Sequence, residues 1–357
     1  MTLIPRPLIP GTASTINDIM RRLLHAALFV SFAATCCAQA TPPDAQNTLH
    51  TTSRLVFVPT LVQNSANNVV YSLTANDFLL TDNGAPQKIT LDDQANPPLS
   101  LVVLIQTGGA AVHQLQDYSG LETMLASLLG NPPNQVSIVN FDSKPEAASP
   151  FTSDIAQWTD AINHPDPGDS GAAIMDSLKF ALDLLSHQPP THRRAILLLS
   201  QPHDVGSKTT AKEILRITGE TNTAIYTLTF SPTKTTLKDS LKENRYGNPP
   251  IQVGNGSYVA YFNLTEPMEM IVDAMRKNVS AELATLSGGE AARFDNQHQL
   301  DDQLGILANH LRNRYMLSFA PTFAQPGFHA LHVSLVSHPD LTVSARTSYW
   351  LNDHPDR

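Results

Sequence analysis

Cysteine is almost missing from this chain: two residues in 357, adjacent at Cys36 and Cys37. Both fall inside a segment that reads as a removable leader. The expected mature protein therefore has no disulfide, no cysteine nucleophile and no thiolate metal site. Charge is also sparse, at 15% of residues, and the net charge is −9. No basic stripe interrupts that acidic balance, which excludes an electrostatic nucleic-acid binder. Beyond residue 40 no apolar run is long enough for a transmembrane helix. The sequence also lacks a G-x-S-x-G nucleophile elbow. Its Gly-Gly pairs at 108–109 and 288–289 lack the Lys-Ser/Thr of a phosphate loop and the spacing of a dinucleotide fingerprint. The second pair suits a helix C-cap.

Proline is frequent, at 26 residues, and Thr, Ser, Asn and Gln are abundant. That balance suits an exported protein with long ordered loops, and the length predicts about two domains. Arg21 and Arg22 precede an apolar stretch at 23–35 (LLHAALFVSFAAT), followed by Ala38-Gln39-Ala40. This order of basic, apolar and A-x-A segments predicts a signal peptide over residues 1–40. Met20, just before the arginines, is an alternative start. Ala33-Ala34-Thr35 is a poor approach to a lipidated cysteine at Cys36. The expected location is periplasmic or secreted, with a polar linker at 41–52.

Residues 53–95 read as short antiparallel strands: 54–63 (RLVFVPTLVQ), a return at 69–72, and a pair at 77–81 and 87–91 around Asp82-Asn83-Gly84, a strong turn signal. After Asn96-Pro97-Pro98 the pattern changes. Strand candidates at 101–105, 135–141, 195–200 and 224–230 alternate with helical periodicity at 115–129, 154–162, 173–185 and 209–218. Such alternation predicts βαβ units and a mostly parallel, doubly wound α/β sheet. Residues 232–265 are polar and read as a long inserted loop, which is either functional or mobile. Helical periodicity then runs from Glu266 to Leu286, followed by a short strand at 291–294, a helix at 301–314, and strands at 315–319, 330–337 and 341–349.

Residues 101–111 (LVVLIQTGGAA) carry most of the functional information. In an open α/β sheet, ligands bind beyond the carboxyl ends of the strands. Here that turn offers Gln106, Thr107, Gly108, Gly109 and Ala110, with one hydroxyl and no carboxylate.

The order of several segments resembles the von Willebrand factor type A-related proteins abundant in acidobacteria. They are 55–59, Leu73-Thr74-Ala75-Asn76-Asp77-Phe78, Asp82-Asn83-Gly84-Ala85-Pro86-Gln87, Pro98-Leu99-Ser100 leading into the 101–111 run, Asn140-Phe141-Asp142, Pro150-Phe151-Thr152-Ser153-Asp154, and the stretches 286–289 and 312–319. The resemblance implies a type A domain over 98–314. It also implies a metal-ion-dependent adhesion site built from Asp-x-Ser-x-Ser, a Thr and an Asp. Those positions fall here on Gln106, Gly108 and Ala110, on Ala172, and on Gln201. Mg²⁺ needs oxygen ligands and carboxylate charge, so the implied site is degenerate and no cofactor is expected. Thr107, Asp169, Ser170, His203 and Asp204 are the candidate partner-binding edge. Asp169, Ser170 and Asp204 are also the residues from which a reshuffled weak metal site could be made. Asp176 is expected on a helix face covering the sheet rim, as an exposed or capping acid.

The histidines do not converge. His329 and His332 sit on opposite faces of a strand, His187 and His192 flank a Pro-Pro turn, and His298 and His310 fall in a loop and near a helix end. The resemblance therefore implies recognition of a protein or cell-surface partner rather than catalysis. The alternative is a structural role in a cell-envelope complex. The flanking segments 53–95 and 315–351 are expected to pair into one β-sandwich-like module, since domain termini tend to lie close together.

Overall fold

The computed structural model describes residues 55–91, 97–118, 120–130, 134–163, 165, 168–230, 251–253, 257–259, 278–322 and 325–352. The leader and linker expected at 1–52 lie outside the described residues.

The first part of the chain contributes β1 (Val56–Gln63), β2 (Phe78–Asp82), β3 (Ala85–Pro86) and β4 (Ile89–Leu91). There follow β5 (Leu99–Gln106), α1 (Leu121–Leu129), β6 (Gln135–Phe141), α2 (Ala156–Asn163) and α3 (Ile174–Ser186). Next come β7 (Arg193–Ser200), α4 (Ala211–Thr221), β8 (Thr223–Phe230), β9 (Ile251–Val253) and β10 (Ser257–Val259). The rest comprises α5 (Val279–Ser287), β11 (Ala291–Phe294), α6 (Gln297–Arg312), β12 (Tyr315–Phe319), β13 (Gly327–Leu335), β14 (Thr342–Ala345) and β15 (Ser348–Leu351).

The central sheet has the order β6-β5-β7-β8-β11-β10-β9. Its first five strands are parallel, and β10 and β9 extend it antiparallel. The apolar runs that predict these strands are buried on both faces, as a parallel sheet requires. Alternate residues face opposite cores. Leu101, Val103 and Ile105 of β5 pack with Leu121, Leu125, Trp158 and Leu304 of α1, α2 and α6. Val102 and Leu104 pack with Leu178, Leu182, Ile214 and Leu283 of α3, α4 and α5. The fold is the doubly wound α/β architecture expected.

The two flanking segments form a second module of two four-stranded sheets, β14-β1-β12-β4 and β15-β13-β2-β3, antiparallel throughout. Val58, Val62 and Leu317 from one sheet meet Leu80, Leu331 and Val333 from the other. Two aromatic pairs span the interface: Phe319 with Tyr349, ring centroids 5.8 Å apart, and Phe78 with Tyr315, at 5.2 Å.

Several expectations need correction. The strands on either side of Asp82-Asn83-Gly84 do not make a simple pair. β2 pairs only with the two-residue β3 and, on its other side, with β13, whereas β4 joins β12 in the opposite sheet. The hairpin ends just past Pro86, where Gln87 N–H still donates to the carbonyl of Leu80 at 2.9 Å, and the chain then crosses to the other sheet. The expected return strand at 69–72 is reduced to one bridge, Gln63 to Val69. The strand read at 341–349 is two, β14 and β15, in different sheets. Arg346 breaks it: its buried side chain turns inward and donates to the carbonyls of Ser348 and Gly219 and to the side chain of Asn222. Two stretches of the supposed inserted loop are the strands β9 and β10. The helical stripe before Asn278 lies outside the described residues; Asn278 itself caps α5 through its side chain. The helix expected from residue 115 begins at Leu121, because Gly120 takes a left-handed conformation (φ +89). His298 lies within α6 rather than in a loop.

Candidate functional site

The first core strand, β5, has β6 on one side and β7 on the other. The chain reverses direction across the sheet there, so a crevice opens beyond the carboxyl ends of β5 and β7. Gln106 closes β5, and Gln201 directly follows β7.

These two side chains hold each other. Gln106 Oε1 accepts the backbone N–H of Gln201 at 2.9 Å. Its Nε2 donates to Gln201 Oε1 at 3.2 Å and to the carbonyl of Gly108 at 2.9 Å. Gln201 Nε2 in turn donates to the carbonyl of His203 at 2.8 Å. Gln106 is fully buried, and its amide has a donor and an acceptor each matched. A carboxylate in its place would set an oxygen against two carbonyl oxygens.

Around this pair the loops are packed tightly. A Cβ at Gly108 would lie 2.6 Å from the carbonyl oxygen of Asp169 and 2.8 Å from that of Gly171, so a serine has no room there. Gly109 N–H donates to the carbonyl of Asp169 at 2.7 Å. The Asp169 carboxylate accepts from Ser143 Oγ and from the backbone of Ser143 and Gly171. The Ser143 hydroxyl foremost, then the Gly171 N–H, hold this exposed carboxyl below its usual range. Asp142 ties the same loops from the other side: its carboxylate accepts from Asp169 N–H and its carbonyl from Ala173 N–H.

The third loop is clamped onto α3. Ala172 and Val205 form a two-hydrogen-bond bridge, at 3.1 and 2.8 Å. Asp204 accepts from the backbone of Met175 and from Ser207 Oγ. Asp176 accepts from Lys208 and Thr209 backbone groups and from Thr209 Oγ1. Burial works against its ionised form, but the bonds from Thr209 and Lys208 outweigh it and lower its pKa.

The predicted positions thus separate into three groups. Gln106, Gly108 and Gln201 meet at the switch point, while Ala110 packs on the core and Ala172 is buried beneath Val205. Asp169, Ser170 and His203 are exposed on the rim, with Asp204 half-buried behind them. Thr107 is a correction. It is fully buried, and its hydroxyl donates to the carbonyl of Phe141 at 3.2 Å, so it lies under the edge and cannot touch a partner. The sequence reading did not single out Asp142 and Ser143, which with Gly171 cement the loops, or Val205 within the 201–207 loop, which is 49% exposed at the rim. The glycines bracketing Asp169-Ser170 and an apolar residue inside the polar 201–207 loop were the available signals.

A hard divalent cation is a poor match to this edge. Its two neutral amide oxygens each accept an N–H of the other glutamine, and its carboxylates accept backbone N–H and hydroxyl groups. Among the described residues no cluster of three or more His, Cys, Asp or Glu is arranged to hold a metal. The histidines are likewise engaged separately. His192 Nδ1 lies 2.9 Å from Ser100 Oγ, His310 Nδ1 lies 2.7 Å from Glu290, and His187 Nδ1 lies 2.8 Å from the carbonyl of Asp183.

A parallel sheet between two helical layers, with loops gathered at its carboxyl switch point, defines a type A-like α/β protein carrying an added β module. In agreement, residues 109–203 match the family model for the von Willebrand factor type A domain. Several solved structures are similar. An aerotolerance-related membrane protein from Bacteroides fragilis shares 13% identity over 59% of this chain and 98% of its own, with a TM-score of 0.37. The conserved hypothetical protein BatB from Bacteroides thetaiotaomicron shares 14%, over 60% and 99%, at 0.39. A single-site mutant of the PilB minor pilin from Streptococcus sanguinis shares 11%, over 62% and 63%, at 0.40. No curated protein matches the chain. Among the described residues no helix is long and apolar enough to cross a membrane.

Proposed function

We propose that this chain is an exported, non-enzymatic recognition module that binds a protein or cell-surface partner without a metal ion. In this reading residues 1–40 direct export and 41–52 are a linker. Residues 98–314 form the recognition domain, and 53–95 with 315–351 form its supporting module. The observation that carries the proposal is the Gln106–Gln201 amide pair at the switch point. It fixes the loops by neutral hydrogen bonds at the place where the type A resemblance implies a cation. Rigid loops bind with little ordering cost, and the rim offers His203, Asp169, Ser170 and the exposed side chain of Val205.

A second reading, assembly into an envelope complex through the β module, has its own observation. Leu79 is 44% exposed and Val336 64%. In the β2–β13 register they are diagonal neighbours on one outward face, since Leu79 pairs with Ser334 and Val336 N–H donates to the carbonyl of Asp77. Adjacent apolar side chains in the open are a contact signal.

The test is capture of partners from an envelope fraction by immobilised chain, in Mg²⁺ and in chelator, with Val205→Asp and Leu79→Asp beside the unaltered protein. The proposal expects one captured set that is indifferent to chelator and lost in Val205→Asp. Chelator-sensitive capture contradicts it. Loss only in Leu79→Asp favours the assembly reading.

A further inference from the structure

At the opposite, amino edge of the sheet lies a cavity of about 750 Å³. Leu99 of β5, Arg193 of β7 and Ala224 of β8 line one side, and Phe57 of β1 and Met316 of β12 line the other. Both modules build it. Its volume is that of a site for a small organic molecule.

Three arginines, Arg193, Arg194 and Arg314, reach this cavity. Arg314 is accounted for, because its guanidinium pairs with the Glu290 carboxylate. The other two are not. Among the described residues, neither Arg193 nor Arg194 has a carboxylate partner. Arg193 donates to the carbonyl of Leu311 at 3.0 Å, and Arg194 to those of Thr221 and Gln188 at 3.3 and 2.9 Å. The Nε of all three arginines is buried with no acceptor among the described residues. Burial works against both unpaired cations, and the nearby Arg314 adds repulsion at Arg193. The carboxylate that does line the cavity, Glu220, is taken by Arg216 one helical turn away, at 2.6 Å. The remaining wall is largely apolar, with Phe57, Pro98, Leu99 and Met316 prominent.

Guanidinium groups held partly out of water without a counter-ion are costly, because a desolvated charge needs a partner. A fold that keeps two of them beside a cavity of ligand size has the means to compensate them when an anion arrives. We propose that this cavity binds a small organic carboxylate with an apolar body. The guanidinium fork matches a carboxylate in two hydrogen bonds, and the apolar wall takes the rest of the molecule out of water. The site is independent of the loops at the carboxyl edge and does not rest on their role.

The experiment uses the purified chain with octanoate as probe, followed by calorimetry and by thermal unfolding. Octanamide serves as the neutral counterpart of equal length, and inorganic phosphate as the anion without an apolar body. Octanoate is expected to bind one site and raise the melting temperature, with octanamide and phosphate weaker by about tenfold or more. Arg193→Gln is expected to weaken octanoate by about tenfold and leave octanamide unchanged. Absence of saturable octanoate binding overturns the proposal, as does equal binding of octanoate and octanamide, or of octanoate and phosphate. If Arg193→Gln does not fold, the octanoate-to-octanamide ratio on the unaltered chain decides alone, and Arg194→Gln provides the second variant.

Discussion

The β module contains a buried charge pair whose removal makes a quantitative prediction. His329 is 3% exposed and Asp82 5%. The ring Nδ1 lies 2.9 Å from Asp82 Oδ1, and Nε2 lies 2.6 Å from the carbonyl of Gln325. Both nitrogens face acceptors, an arrangement that favours the protonated ring. Tyr349 donates its hydroxyl to the other Asp82 oxygen at 2.7 Å and stacks on the ring, with centroids 4.6 Å apart. Burial opposes the charge on His329, but the bonds to Asp82 and Gln325 and the aspartate charge outweigh it and raise the pKa. A raised histidine pKa contributes stability that is complete below the unfolded value, about 6.5, and is lost as pH rises through the folded value. Each unit of separation is worth about 1.4 kcal/mol. Asp82→Asn leaves a buried imidazolium without its counter-charge, a loss of about 3–5 kcal/mol. The cost should be largest near pH 6 and smaller above the folded pKa, where the unaltered protein has already lost the imidazolium. Urea unfolding of both proteins across pH 5–9, with NMR titration of His329, measures this. A cost that is the same at both ends of that range, or a His329 titration at or below the free value, refutes the reasoning.

Other perturbations test other parts of the account. Gln106→Glu sets a carboxylate oxygen against the carbonyl of Gly108 and Oε1 of Gln201. It should cost about 2–3 kcal/mol in thermal or urea unfolding, and Mg²⁺ should not restore the loss. Gly219→Ala would stabilise an isolated helix by about 1 kcal/mol. Here the new Cβ meets Trp350 Cβ at 2.6 Å and Trp350 N at 2.7 Å, so α4 and β15 are forced apart and a net loss of stability is expected by calorimetry. Glu290→Gln strips the buried Arg314 and His310 of their shared carboxylate. It should cost about 3–5 kcal/mol, and denaturant unfolding reports it.

What could be read in the sequence followed from the strength of local pattern. The strands β5, β6, β7 and β8 were visible as apolar runs because both faces of a parallel sheet are buried. Their carboxyl ends, and with them Gln106 and Gln201, came with them. Strand partners were less visible. The turn at Asn83-Gly84 was plain, yet where β4 went depended on β12, more than 220 residues later, and no local signal encodes such a partner. The break between β14 and β15 depended on what the buried Arg346 could reach, namely Asn222 and Gly219 of another module. Thr107 looked like a rim residue by position, but its register beside Phe141 turns its hydroxyl inward. The unpaired arginines of the amino edge left no trace in spacing at all. Arg193 and Arg194 lie just before the strand read at 195–200, and only the fold sets Arg314 and the β module beside them.

Calorimetric titration of Mg²⁺ and Mn²⁺ into chelator-treated protein, with thermal unfolding in parallel, tests the central claim most directly. The amide-locked carboxyl edge predicts no binding heat and no shift in melting temperature with either ion. One-site binding at sub-millimolar affinity, lost in Asp169→Asn or Asp204→Asn, would contradict it.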